Sequence, residues 1–146
     1  MKKSFTVLEL IFVIVIIGIL AGIAIPRLFT SIDEATLAKA KTQIATIRAG
    51  ISSAYSKNIM SGNIDKCPDL ETSYGGSELF EKVVNPPIKS NQKDINWTFE
   101  GNNSTEYNYT LKIGDENTTF TYEKNTSKNC PFMCNSSDDL CQKLER

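Results

Sequence analysis

Sixteen consecutive residues at positions 10–25, LIFVIVIIGILAGIAI, are apolar or glycine, and no polar side chain interrupts them. A helix through this run has no polar face, so it does not fit against a globular core with one side in water. Its surface must be covered by lipid or by other chains. Counting back to Phe5 gives twenty-one residues, interrupted only by Thr6 and Glu9. At ~1.5 Å per residue that is about 30 Å, the hydrocarbon thickness of a bilayer. An ordinary cleaved signal peptide is the rival. It has a basic start, ~7–15 apolar residues and then a small-x-small site. Lys2 and Lys3 supply the start and Ala21 and Gly22 are small, but the run continues past them and Pro26 sits where a strict small-x-small site would be awkward. The favoured expectation is a retained membrane-spanning segment. Its short basic amino end stays in the cytoplasm and the remainder of the chain is exported.

The cysteines agree with export. Cys67, Cys130, Cys134 and Cys141 all lie after the apolar run, and the chain has no histidine. Zinc sites favour closely spaced pairs such as Cys-x2-Cys, whereas these are spaced Cys130-x3-Cys134-x6-Cys141 with Cys67 remote. Two disulfides fit better. Lys and Arg total 16 against 17 Asp and Glu, a net charge of −1, with no basic patch interleaved with aromatics. Direct nucleic-acid binding is therefore not expected. Nor is enzymatic activity, since no nucleophile stands beside a recognisable base and carboxylates are not clustered beyond ordinary surface charge. No cofactor and no metal are implied.

Beyond Pro26 the apolar pattern changes period. Leu37, Ala40, Lys41, Ile44, Ile47, Arg48, Ile51, Ala54 and Tyr55, most of them apolar, fall at spacings of three and four, which predicts an amphipathic helix with one buried stripe, ending near 58–62. Pro26 predicts a bend, or a break with a fresh start near Ile32 capped by Thr30, Ser31 or Asp33. After Gly62 the punctuation of Pro68, Gly75-Gly76 and Pro86-Pro87 marks irregular chain, with a short helix expected over 77–84. Three segments alternate with period two. They are 95–99 (Ile95, Trp97, Phe99 inward), 107–113 (Tyr107, Tyr109, Leu111, Ile113) and 118–123 (Phe120, Tyr122). They predict an antiparallel sheet whose apolar face the 37–55 stripe covers. Four cysteines allow three pairings; Cys67 with Cys130 and Cys134 with Cys141 is the preferred one.

Glu9 is the informative residue of the first segment. A carboxylate in an apolar layer usually has a partner, and Lys2 and Lys3 could reach back to it. The string Ser4-Phe5-Thr6-Val7-Leu8-Glu9, followed by the apolar run and Pro26, resembles the amino terminus of type IV pilins and type II secretion pseudopilins. The resemblance covers about residues 2–30. It implies an α+β, pilin-like fold: a leader over 1–4, a transmembrane and filament-core helix over 5–26, an amphipathic helix over 27–62, and a disulfide-bonded sheet region over 63–146. It also implies that a prepilin peptidase cuts between Ser4 and Phe5 and methylates the new amine of Phe5. Glu9 would then align each subunit with that amine on its neighbour, and Gly18, Gly22 and Pro26 would mark close contact or bending inside a filament. The family's residue before the cut is glycine, and Ser4 departs from that. Implied partners are copies of the chain, other pseudopilins, the peptidase and an inner-membrane assembly platform. The implied location is the bacterial inner membrane, single pass, with a periplasmic head.

The resulting expectation is a structural filament subunit, most of all a pseudopilin of a secretion or DNA-uptake system. Alternatives are a pilus pilin and a tethered binding module that does not polymerise. Five asparagines, Asn96, Asn102, Asn108, Asn117 and Asn125, each have an acid two residues before and a hydroxyl two after. That pattern resembles the acceptor signal of a bacterial N-oligosaccharyltransferase, with chance in a polar, Asn-rich sheet as the competing account. Asp138 and Asp139 could contribute calcium ligands, although no spacing singles them out.

Overall fold

The computed structural model describes residues 5–64, 66–102, 106–124 and 129–146, and their side chains except at 23–33 and 102. The chain divides into two compact units, Met1–Ala35 and Thr36–Arg146. Helix α1 spans Val7–Met60, and Pro26 lies within it. Its first turn is capped by Thr6, whose Oγ1 accepts from the Glu9 N–H at 3.3 Å. Its end is a Schellman turn. Gly62 sits at φ +84, its N–H donates to the Ile59 carbonyl at 3.0 Å, and the Asn63 N–H donates to Asn58 at 2.8 Å.

In the unit Thr36–Arg146, the helix buries Ala40, Ile44, Ile47 and Ile51 at 0–3% exposure, the stripe that the three-and-four spacing predicts. It covers a four-stranded antiparallel sheet. β1 (Glu78–Leu79) and β2 (Ile88–Lys89) form a separate two-stranded ribbon, and the sheet runs β3 (Ile95–Asn102), β4 (Glu106–Ile113), β5 (Glu116–Glu123), β6 (Phe132–Cys134) in that order. Ile113 pairs with Glu116, so the β4–β5 turn is only Gly114-Asp115, with Gly114 at φ +60. Such tight turns need a residue that accepts positive φ. The inward residues Trp97, Tyr109, Leu111, Phe120 and Tyr122 are all at 0% exposure. Trp97 Nε1 donates to Gln43 Oε1 at 3.0 Å, tying the sheet to the helix. Phe80 packs edge-on against Trp97 and Phe132, with centroids 5.6 and 5.8 Å away. Helix α2 (Asp139–Glu145) closes the unit by burying Leu140, Cys141 and Leu144.

Two disulfides staple this small core. Cys67–Cys130 joins the loop after α1 to the approach to β6, and Cys134–Cys141 joins β6 to α2. Arg48 on α1 donates from Nε to the Phe132 carbonyl at 3.1 Å and pairs with Glu145 of α2. Gly50 marks the closest approach of the helix to the ribbon loop, because a Cβ there would collide with the Val83 carbonyl.

Two expectations are corrected. Among the described residues no helix is long and apolar enough to cross a membrane. The first turn of α1 also carries Glu9, a carboxylate that an apolar layer disfavours. That overturns the membrane half of the fold expected at 5–26, and with it the single-pass inner-membrane placement. The helix expected over 77–84 is also absent. Leu79 pairs with Ile88 and Phe80 stands at φ +61, which no α-helix contains. The apolar residues that suggested a helix do point inward, from a strand and turns.

Candidate functional site

The most unusual surface of the described chain is the first part of α1. Every residue from 5 to 22 is exposed, and this includes large apolar side chains: Phe5 at 78%, Leu8 at 81%, Phe12 at 68% and Leu20 at 63%. Monomeric soluble proteins rarely expose more than a few hundred Å² of contiguous apolar surface, and a larger patch marks an interaction site. Covering each such side chain is worth roughly 1.5–3 kcal/mol. Gly18 and Gly22 share a face one turn apart, and a Cβ at either would meet nothing within 4 Å. The chain's own fold therefore does not require them to be glycine. Their smallness leaves room for another helix to approach.

Glu9 lies in the first turn of this helix, where a negative charge is favoured by the helix dipole. Its N–H donates to the Thr6 hydroxyl, and Thr6-Val7-Leu8-Glu9 is the S/T-x-x-E pattern of a capping box. The sequence reading missed Thr6 as the cap of this helix, although the four-residue signal was there to be read. Among the described residues the Glu9 carboxylate has no hydrogen bond or ion pair. Lys2, Lys3 and Ser4 lie outside the described residues, and nothing is described of the Pro26 side chain.

Shallow grooves mark the described part of the head. One of about 510 Å³ is lined by Arg48, Pro131, Met133, Cys134 and Glu145, among others. Another, about 770 Å³, gathers Lys66, Lys82 and Lys124 with Asp69, Asn58 and Asn63. Hydrogen bonding from Lys124 holds the Asp69 carboxyl below its ordinary pKa, and the same contact raises Lys124. Arg48 likewise lowers Glu145.

The expected acceptor asparagines are not equivalent. Asn96 Oδ1 accepts from the Asn91 N–H at 2.8 Å and Asn108 Oδ1 accepts from Thr121 Oγ1 at 3.1 Å. Asn117 is exposed beside the β4–β5 turn. Asn125 lies outside the described residues, and the Asn102 side chain is not described. Asp138 Oδ2 accepts from buried Thr118 at 2.8 Å. Among the described residues no group of three His, Cys, Asp or Glu is placed to hold a metal ion.

The chain is 44% identical over 52 residues to the type IV narrow pilus major component PilA5 of Thermus thermophilus. The match covers 36% of this chain and 45% of that protein, so the chain spans less than half the length of the curated relative it matches. The homology to a pilin is thus partial and at the level of the family. No family model matches the chain, and no solved structure matches it.

Proposed function

We propose that this protein is a structural subunit of a type IV filament-like assembly, which associates with copies of itself through the amino-terminal part of α1. The exposed apolar surface from Phe5 to Leu20 carries this reading, because burial against like helices would remove it from water. In this arrangement Gly18 and Gly22 permit close helix contact and Glu9 meets a positive group of a neighbouring copy. That group is the amine of Phe5, created when a prepilin peptidase removes residues 1–4. Other pilin-like subunits and an assembly platform complete the set of partners. Similarity to a pilus component favours a pilus subunit over the secretion or DNA-uptake pseudopilin that stood first in the sequence reading.

Mass spectrometry of the protein from its native cells tests the processing step. A chain beginning at N-methyl-Phe5 with two disulfides is the expected result, and one beginning at Met1 would contradict it. Glu9→Ala tests assembly. It should deplete filaments in shear fractions while leaving the level of folded head unchanged. Undiminished filaments would remove Glu9 from the proposal.

A further inference from the structure

The loop that links the first disulfide to the ribbon carries a carboxyl where an apolar side chain would be expected. Glu71 is 1% exposed, and neither of its carboxyl oxygens has a hydrogen-bond partner. Beside it on β4, the Tyr109 hydroxyl is also buried without a partner. Both belong to the best-packed part of the head. Leu70 precedes Glu71 at 1% exposure, and Phe80, at 0%, lies tilted against the Tyr109 ring with centroids 4.6 Å apart. The loop is held on either side of Glu71. The Tyr122 hydroxyl donates to the Pro68 carbonyl at 2.7 Å, the Lys82 N–H donates to Leu70 at 3.1 Å, and the Thr72 N–H donates to Glu81 Oε1 at 2.7 Å. Tyr74 stacks on Tyr107 at 4.7 Å. An ionised carboxylate in such a place needs a cation or several donors, and without them the group stays neutral.

The groups that act on Glu71 include no cation. Burial raises its pKa first. The approaching Tyr109 hydroxyl and Phe80 N–H oppose this without completing hydrogen bonds, and the Glu81 charge adds to the rise. Tyr74 also faces Glu71. Burial raises Tyr109 too, with Glu71, Tyr74 and Tyr107 acting on it, so the phenol stays protonated.

We propose that Glu71 is a proton-loaded latch. Carried as a neutral acid against Tyr109, it holds the 67–84 segment on the apolar face of the sheet, and the segment loosens when the carboxyl ionises. The device is independent of the filament reading. The segment also contributes Cys67, Pro68, Asp69 and Lys82 to the lysine-lined groove, so ionisation of Glu71 reshapes that surface. The sign follows from proton linkage. The folded state holds this proton more tightly than the unfolded chain, so the latch is fully closed below the ordinary carboxylate range. Between the unfolded and folded pKa values its contribution to the folding constant falls about tenfold per pH unit.

Hydrogen exchange of the full-length protein in detergent, corrected for the intrinsic rate at each pH, tests the latch. In the wild type, amides of 68–84 should lose protection as pH rises through the Glu71 titration, while the β4 and β5 amides keep theirs. Glu71→Gln should abolish that pH dependence. Tyr109→Phe should move it to higher pH, because the hydroxyl favours the ionised carboxyl. Carboxyl-carbon NMR of the wild type reads the same group without any substitution, and Glu71 should titrate above the ordinary Glu value. A Glu71 carboxyl titrating at or below that value, or a Glu71→Gln exchange profile as pH-dependent as the wild type, would overturn the proposal.

Discussion

Phe12 and Phe120 are the same side chain in opposite circumstances. Phe12 is 68% exposed on the first part of α1, where every apolar residue is exposed, whereas Phe120 is 0% exposed, stacked on Phe132 at 5.0 Å and facing Trp97. In the head, apolar surface is consumed internally: helix stripe, sheet face, ribbon loop and α2 close over one core. In the first part of α1 it stays available to something outside the chain. Hydrophobicity alone therefore does not distinguish a folding segment from an associating one; the period does. The 37–55 stripe repeats every three or four residues, with polar residues between. The 10–25 run has no such interruption, so no rotation of the helix gives it a wet side.

Substitutions separate the two regions by what they damage. Trp97→Ala should have the largest effect, lowering head stability by about 3–5 kcal/mol in denaturant unfolding, since it empties a fully buried site. A loss under 1 kcal/mol would mean that the head core is not organised around β3. The disulfides come next and should be unequal. Removing Cys67–Cys130, with a sequence separation of 63, should cost about 4 kcal/mol, and removing Cys134–Cys141, with a separation of 7, about 2 kcal/mol. Equal losses would show that the longer bridge constrains little of the unfolded chain. Gly50→Ala should cost about 1–3 kcal/mol by forcing the helix away from Val83; a neutral result would show that the ribbon loop gives way. The smallest effect on the head belongs to Ile14→Ser. It should leave the unfolding midpoint unchanged and still reduce assembly, which sharpens the contrast from the other side.

Acid adds a gentler test within the head. Asp69 lies below its ordinary pKa because of Lys124, so its pairing is present at neutral pH and lost as pH falls through that lowered value. Both side chains are partly exposed, at 33% and 43%, so the loss should stay within about 1 kcal/mol. Lys124→Met should reduce that acid sensitivity, leaving the smaller part due to Lys82, as read by the unfolding midpoint between neutral and low pH. Glu71 has the opposite sign, losing its contribution as pH rises.

Much of the head was legible because its signals are local and periodic. Ile95, Trp97, Tyr109, Leu111, Phe120 and Tyr122 alternate along strands. β6 and α2 were not legible. Phe132–Cys134 is three residues long and Asp139–Glu145 is seven; each is held by a disulfide and long-range packing, with too little length for a period to show. The ribbon was misread as a helix because Leu79, Phe80, Val83 and Val84 have helical spacing, while the positive φ at Phe80 leaves no mark on composition. Glu71 could not be found by pattern either. Its burial depends on what the Cys67–Cys130 bridge brings near β4, and a lone glutamate between Leu70 and Thr72 reads as a solvated loop residue. In the first segment the lack of a polar face was evident, but what covers it is a property of other molecules.

Photo-crosslinking reads most directly what covers that segment. A photoreactive amino acid placed at Ile14, which is 59% exposed, should on illumination in native cells give a ladder at multiples of the single-chain mass. The same probe at Asp115, exposed on the β4–β5 turn, should give far less of it. A probe at Ile14 that never captures a second copy of this chain would contradict self-association through the amino-terminal helix.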